Sequence, residues 1–139
     1  MSQRFYLTTP IYYVNASPHL GHAYSTTVVD TATRFHRLMG VESRMQTGTD
    51  EHGDKVALCA ADDATCVGPQ EFADTVSAQF RDLWPQLHIK HDNFIRTTEP
   101  RHKRVVREIL QRVYDKGDIY FGGYGGKYCV GCERFYTDT

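Results

Sequence analysis

Short apolar strands alternate with longer amphipathic helices along the chain, and this alternation limits the folds that it can adopt. Arg4–Thr8 is a predicted strand because it is rich in aromatic and β-branched residues. A helix is predicted over Leu20–Met39, with Gly40 as its C-terminal stop, because apolar residues recur there at nearly helical spacing. Val41–Thr47 is the second predicted strand. This alternation indicates an α/β layer with a parallel sheet.

The middle of the chain continues the alternation. A polar loop, Gly48–Gly53, precedes a short predicted helix over Asp54–Asp63, and Pro69 is well placed in the first turn of a longer helix. The longer helix carries an apolar stripe at steps of three or four residues, which we expect to face the core. The stripe consists of Phe72, Val76, Phe80, Leu83 and Leu87.

A third strand and a last helix precede a change of composition. The strand is predicted over Asn93–Thr97, and Thr97 or Thr98 is a candidate cap for a helix that runs to Lys116. The apolar residues of this helix that we expect to face inward are Val106, Ile109 and Val113. Beyond Gly117 the chain becomes rich in glycine and aromatic residues, so we predict a domain boundary there and a β-rich segment after it.

Composition excludes several classes of protein. With 16 Lys and Arg against 17 Asp and Glu among 139 residues, the chain has no overall basicity that would indicate a nucleic-acid partner, although a local basic face is still possible. No apolar run is long enough to span a membrane, and the amino terminus lacks a secretory signal, so we expect a cytoplasmic location. In that reducing compartment the four cysteines are not expected to form disulfides. The sequence carries no indication of an oligomeric state.

Two histidines and a glycine mark the start of the first predicted helix. The backbone N–H groups of a helix N-terminus are unpaired and carry partial positive charge, so phosphates bind there readily. His19 and His22 share a helical face and can add side-chain donors, and Gly21 allows a ligand to approach the backbone closely. The stretch is a candidate phosphate site, and the alternative is a pair of surface histidines without a ligand.

A second polar loop, after the second predicted strand, contains Asp50 and His52. In a parallel sheet the loops after neighbouring strands emerge at the same edge, where ligands bind. We therefore expect Asp50 to lie near the loop that contains Ile11, Tyr13 and the two histidines. An acid beside a phosphate site suits a small zwitterion that is joined to a nucleotide.

Three sequence blocks carry a resemblance to a known family. They are Thr8–His22 (TTPIYYVNASPHLGH), Thr47–Gly53 (TGTDEHG) and Tyr128–Tyr136 (YCVGCERFY). Together they resemble the methionyl-tRNA synthetases, which are class I aminoacyl-tRNA synthetases, and the chain is similar to the amino-terminal part of such an enzyme. The resemblance implies that residues 1–117 are the first half of a Rossmann-like catalytic domain. It also implies that residues 118–139 begin a β-rich connective insertion with a zinc knuckle.

The resemblance further implies a reaction and a role for each site residue. Methionine would react with ATP, in the presence of Mg²⁺, to give methionyl-adenylate, and the methionyl group would then pass to tRNA(Met). His19 and His22 would be the catalytic and ATP-binding residues, with Gly21 beneath the adenine. The methionine-binding residues would be Ile11, Tyr13, Asp50 and His52. Asp50 would hold the substrate ammonium, whereas for His52 a structural hydrogen bond is an equal alternative.

Cys129 and Cys132 form a C-x-x-C pair with the spacing of half a zinc site. Structural zinc takes four ligands, and the sequence has no cysteine or histidine after Cys132. The resemblance implies a second ligand pair further along the intact enzyme. We therefore expect zinc in that enzyme, whereas in this chain alone we expect no stable zinc site and a reduced, metal-free dithiol.

Two other functions remain open. In a metal-dependent hydrolase, imidazole and carboxylate groups from the two polar loops would bind zinc or manganese. The candidate ligands are His19, His22, Asp50 and His52. A non-catalytic nucleotide- or zinc-binding module would instead depend only on Cys129 and Cys132.

Overall fold

A four-stranded parallel sheet carries the candidate site residues of the first two polar loops. The structure is a computed structural model and describes residues 4–136. The strands are β1 (Arg4–Thr8), β2 (Tyr12–Tyr13), β3 (Glu42–Asp50) and β4 (Asn93–Arg96). β1 and β2 pair with successive parts of one side of β3, and β4 pairs with its other side, all in parallel. The predicted α/β fold with a parallel sheet is confirmed.

β3 continues three residues further than the sequence predicts. The predicted strand ends at Thr47 and a loop follows, but β3 runs to Asp50 because β2 and β4 supply pairing partners as far as its end. Gly48 permits this pairing, since a Cβ atom at that position would lie 2.0 Å from the backbone oxygen of Ile95 in β4. Asp50 is therefore held in the sheet and does not lie in a free loop.

The first three helices agree closely with the predicted ones. They are α1 (Leu20–Leu38), α2 (Asp54–Asp62) and α3 (Pro69–Gln86). After α1 the backbone turns at Gly40, whose φ of +78° lies in the left-handed region that favours glycine. α1 packs on β1 and β3 with its small polar residues, and its buried residues are Thr26, Asp30 and Thr33. Several of its large apolar residues are exposed, among them Tyr24, Val28, Phe35 and Leu38, whereas Val29 packs against the core.

The apolar stripe of α3 forms much of the core. The stripe residues that are buried as predicted are Phe72, Val76 and Phe80. Leu83 is only partly buried, and Trp84, one turn after Phe80, is fully buried in its place. Leu87 is 43% exposed, so the prediction that it faces the core is wrong. The reason is that α3 ends at Gln86, so helical spacing no longer determines the direction of the Leu87 side chain.

The chain divides into two compact units between Arg104 and Val105, a division that falls within α4 (Pro100–Asp115). The prediction that the apolar residues of this helix face inward is wrong. Val106 and Ile109 are exposed, and Val113 is only partly buried. Spacing alone identifies an apolar stripe, but burial also requires a surface that packs against it.

The second unit also contains an antiparallel hairpin formed by β5 (Lys127–Cys129) and β6 (Arg134–Tyr136). The predicted domain boundary near Gly117 and the zinc-knuckle insertion after it stay predictions. The outermost parts of both predicted domains, residues 1–3 and 137–139, lie outside the described residues. Within residues 4–136, no helix has the length and apolar character that crossing a membrane requires.

Candidate functional site

Two histidine side chains cap the N-terminus of α1. His19 is the N-cap residue, and its Nδ1 accepts a 3.1 Å hydrogen bond from the backbone N–H of Gly21. The Nδ1 of His22 accepts a 3.2 Å hydrogen bond from the backbone N–H of His19, which completes a capping box. The two rings stack with their centroids 3.8 Å apart. Gly21 leaves room for this arrangement, because a Cβ atom there would lie 3.0 Å from Cε1 of His19.

The capping box fixes which ring nitrogen of each histidine carries the proton. A backbone N–H is always a donor, so each Nδ1 that receives one must be unprotonated. In a neutral imidazole the proton then lies on Nε2, which is left as a donor. Two Nε2–H groups therefore lie at the N-terminus of α1. This is the positive end of the helix dipole, which attracts anions.

A buried aromatic cluster supports the ring of His22. Tyr12 is 6% exposed, and its ring centroid lies 4.6 Å from that of His22; the centroid of Phe80 lies 5.0 Å from it. The hydroxyl of Tyr12 is 2.9 Å from both Ser25 Oγ and Thr26 Oγ1 on α1. Sequence analysis missed Tyr12, because the run Ile11–Val14 consists only of apolar and aromatic residues and has no polar alternation that would single out one of them.

Asp50 and Tyr13 are neighbours at the carboxyl end of the sheet. They are partners in the parallel pairing of β2 with β3, and the carbonyl of Asp50 accepts a 3.3 Å hydrogen bond from the backbone N–H of Val14. Tyr13 and Ile11 are each 42% exposed, and His52, two residues after Asp50, is also exposed. A half-buried carboxylate thus lies beside an exposed aromatic side chain at this edge of the sheet.

Glu51 carries a buried carboxylate that sequence analysis missed. Its side chain is fully buried, and its Oε1 accepts hydrogen bonds from Arg96 Nε at 2.7 Å and Thr49 Oγ1 at 2.6 Å. Its Oε2 accepts from Arg96 Nη2 at 2.9 Å and from the hydroxyl of Thr98. The predicted role of Thr97 or Thr98 as a helix cap is wrong, because the last helix begins at Pro100 and the cap position is Glu99. Thr98 donates to this carboxylate, and Thr97 Oγ1 accepts the backbone N–H of Glu51 at 2.8 Å.

The charge of Glu51 is maintained by these donors. Burial acts to raise the pKa of this carboxyl, but the hydrogen bonds from Arg96, Thr49 and Thr98 outweigh burial and hold the pKa below its ordinary value. Arg96 also donates to Asp74 on α3. The Glu51–Arg96 ion pair therefore links the ends of β3 and β4 to α3. Arg96 lies 45 residues from Glu51 in the sequence. No local pattern could have shown the contact.

A family model and similar proteins of known function identify the family to which the chain belongs. A family model described as tRNA synthetases class I (M) matches residues 5–139. The chain is 52% identical over 135 residues to the methionine–tRNA ligase of Thermosynechococcus vestitus, an alignment that covers 97% of this chain and 25% of that protein. The chain belongs to the methionyl-tRNA synthetase family.

A second relative and a solved structure give the same result. The methionine–tRNA ligase of Fusobacterium nucleatum is 47% identical over 139 residues, which are 100% of this chain and 22% of that protein. The structure of Mycobacterium tuberculosis methionyl-tRNA synthetase in complex with methionyl-adenylate matches with a TM-score of 0.90 and 43% identity. That match covers 98% of this chain and 26% of the other. The chain thus spans about a quarter of the length of these methionyl-tRNA synthetases.

The hairpin of β5 and β6 holds the two cysteines of the C-x-x-C pair, Cys129 and Cys132. Cys132 Sγ accepts a 3.5 Å hydrogen bond from the hydroxyl of Tyr136, and hydrogen bonds from Cys132 lower the pKa of the Cys129 thiol. A depressed pKa favours the thiolate that zinc binds. The donor chemistry therefore fits half of a tetrahedral zinc site.

The hydrolase alternative requires a group of at least three metal ligands. Among residues 4–136, no such group of histidine, cysteine, aspartate or glutamate side chains exists. In addition, the Nδ1 atoms of His19 and His22 already accept backbone N–H groups. The arrangement of the two histidines therefore favours binding of an anion over ligation of a metal ion.

The protein is expected to lose stability as the pH falls below about 6.5, because burial and the nearby His19 hold the pKa of His22 below its ordinary value of 6.5. The unfolded chain then takes up a proton before the folded chain does. The contribution of His22 is complete above pH 6.5 and is lost as the pH falls through the lower pKa of the folded state. Urea denaturation between about pH 5 and pH 8 measures this dependence.

The control for this prediction is His22→Gln, whose side-chain oxygen can still accept the backbone N–H of His19 but does not titrate. The stability of this variant should change less with pH. Burial also lowers the pKa of His91, which contributes with the same sign in both proteins and cancels in the comparison. Identical pH dependence in the two proteins would contradict the prediction.

Proposed function

We propose that this chain forms part of the active site that joins methionine to ATP in a methionine–tRNA ligase. One oxygen of the methionine carboxylate attacks the α-phosphorus of ATP, and the bond to the bridging oxygen of the β-phosphate breaks. The products are methionyl-adenylate and pyrophosphate, and the methionyl group then passes to the terminal ribose of tRNA(Met). ATP enters as its Mg²⁺ complex, as is usual for nucleotide substrates.

The observation that carries this proposal is the pair of Nε2–H donors at the start of α1. In this proposal His19 and His22 hold the phosphates of ATP and stabilise the negative charge that develops on them, and Gly21 lies beneath the adenine. Little covalent catalysis by the protein is required, because positioning of the substrates and stabilisation of charge provide most of the rate enhancement. With Nδ1 of each ring accepting a backbone N–H, both side chains present Nε2–H as a donor without a proton transfer.

Methionine is assigned to the carboxyl end of the sheet, where β2 and β3 end. Asp50 pairs with the substrate ammonium, and Tyr13 and the backbone of Ile11 form part of the pocket. His52 is exposed close to this edge and is assigned either a contact with methionine or a structural hydrogen bond. Selection of methionine over other apolar amino acids requires additional residues, since a difference of one methylene is worth only about 1–3 kcal/mol.

The C-x-x-C hairpin is proposed as one half of a structural zinc site. Cys129 and Cys132 would hold the ion together with two ligands from elsewhere in the enzyme, and zinc would stabilise the fold of that segment. The adenylation reaction described above does not pass through this metal. The cytoplasmic location expected from the sequence stays a prediction.

Methionine-dependent exchange of pyrophosphate into ATP tests the proposed function. We expect the full-length protein to catalyse this exchange with methionine and to be much less active with leucine. Residues 1–139 expressed alone are expected to show no robust exchange, because we propose that the active site includes residues from the rest of the enzyme. Exchange that ignores methionine would overturn the assignment. Robust exchange by residues 1–139 alone would overturn only the need for the rest of the enzyme.

A further inference from the structure

The backbone of Asp50 is fixed on both sides. On one side, its carbonyl accepts the backbone N–H of Val14. On the other side, the N–H of Glu51 donates to Thr97 Oγ1 at 2.8 Å. The side chain of Glu51 is also immobilised, because four hydrogen bonds from Arg96, Thr49 and Thr98 hold its carboxylate. The position of the Asp50 Cα atom is therefore set by the sheet and by this buried network.

The freedom that remains to Asp50 is rotation of its side chain. Thr97 is buried, and its hydroxyl lies 3.4 Å from Oδ1 of Asp50. Because the N–H of Glu51 already donates to Thr97 Oγ1, the Thr97 proton is available for Oδ1 of Asp50. One hydroxyl thus accepts from the peptide after Asp50 and donates to the carboxylate of Asp50. A methyl group at that position could do neither.

We propose that Thr97 is a positioning residue for methionine: it orients the Asp50 carboxylate toward the substrate ammonium, in a frame that the Glu51–Arg96 ion pair makes rigid. This inference rests on the proposed function, in which Asp50 binds that ammonium. Thr97 acts through Asp50 and is not assigned a contact with ATP. Its removal should therefore affect the use of methionine and leave the use of ATP nearly unchanged.

Thr97→Val in the full-length protein tests the proposal. In pyrophosphate exchange we expect the KM for methionine to rise about tenfold, as for loss of a hydrogen bond to a charged group, with kcat and the KM for ATP within about twofold of the original protein. Thr97→Ser keeps the hydroxyl and should restore the KM. The matched control is Thr33→Val, which removes another fully buried threonine hydroxyl that bonds only within α1, to the carbonyl of Val29.

A double-mutant cycle with Asp50→Asn separates positioning from a general structural role. If Thr97 acts through Asp50, then Thr97→Val should change the KM for methionine by less than about twofold in the Asp50→Asn background. Additive effects, an unchanged KM in Thr97→Val, or equal rises in the KM values for methionine and ATP would each overturn the inference. Should the valine variant fail to fold, Thr97→Ala provides the same test with a smaller side chain.

The same cycle distinguishes failure of this inference from failure of the proposed function. If Asp50→Asn alone leaves the KM for methionine unchanged, the assignment of Asp50 is wrong and the inference falls with it. If Asp50→Asn raises this KM strongly while Thr97→Val does not, the proposed function stands and only the role of Thr97 is overturned.

Discussion

Asp50→Asn is expected to raise the KM for methionine by about 100-fold in the full-length protein, because it removes the negative charge that we propose binds the substrate ammonium. Truncating one partner of a desolvated charge pair typically costs about 2–5 kcal/mol, and each 1.4 kcal/mol is about tenfold. Asparagine keeps the shape of the side chain and can accept the Thr97 hydroxyl, so the sheet edge should remain intact. Pyrophosphate-exchange kinetics, with methionine and ATP varied separately, measure the effect.

The control for this prediction is Asp82→Asn, because the Asp82 side chain is 70% exposed on α3 and outside the proposed site. It makes the same chemical change, and we expect no effect on either KM. A rise in the KM for ATP as large as that for methionine in Asp50→Asn would indicate a general disturbance of the sheet edge. An Asp50→Asn variant with an unaltered KM for methionine would exclude the assigned contact.

Local patterns were sufficient to predict most of the elements that carry the site. β1 and α1 were found from residue type and spacing, and Gly40 gave the end of the helix because its positive φ is a local property. The capping of α1 was only partly predictable. The two histidines were identified as possible donors to a phosphate, but their reciprocal acceptance of backbone N–H groups through Nδ1 requires the actual ring positions.

Features that depend on distant partners could not be predicted. The last three residues of β3 form a strand only because two other strands pair with them, and a polar GTD sequence gives no local sign of that pairing. The Glu51–Arg96 ion pair could not be predicted for a similar reason, since an isolated glutamate in a polar loop is normally exposed. Leu87 shows the converse case, in which the apolar stripe continued past the end of the helix that defined it.

His22→Ala is expected to lower kcat for methionine-dependent pyrophosphate exchange by about 100- to 1,000-fold, the usual cost of removing one preorganised donor to a developing negative charge. The KM for methionine should change little, because in the proposed function the lost donor acts on the phosphates and not on the amino acid. The charge on the phosphates changes during the reaction, so an interaction with it stabilises the transition state more than the bound substrates. Steady-state kinetics at saturating methionine and ATP measure the change.

The variant also removes the acceptor of the His19 N–H, and loss of a helix cap typically costs about 1 kcal/mol of stability. That cost lowers the melting temperature but not the turnover of molecules that remain folded, so both quantities must be measured on the same preparation. His91→Ala is the matched control, since His91 is also partly buried with a lowered pKa but lies between α3 and β4 in the chain, outside the proposed site. If His22→Ala matches His91→Ala in kcat and differs only in stability, His22 serves solely as a cap, and the phosphates must be held by other groups.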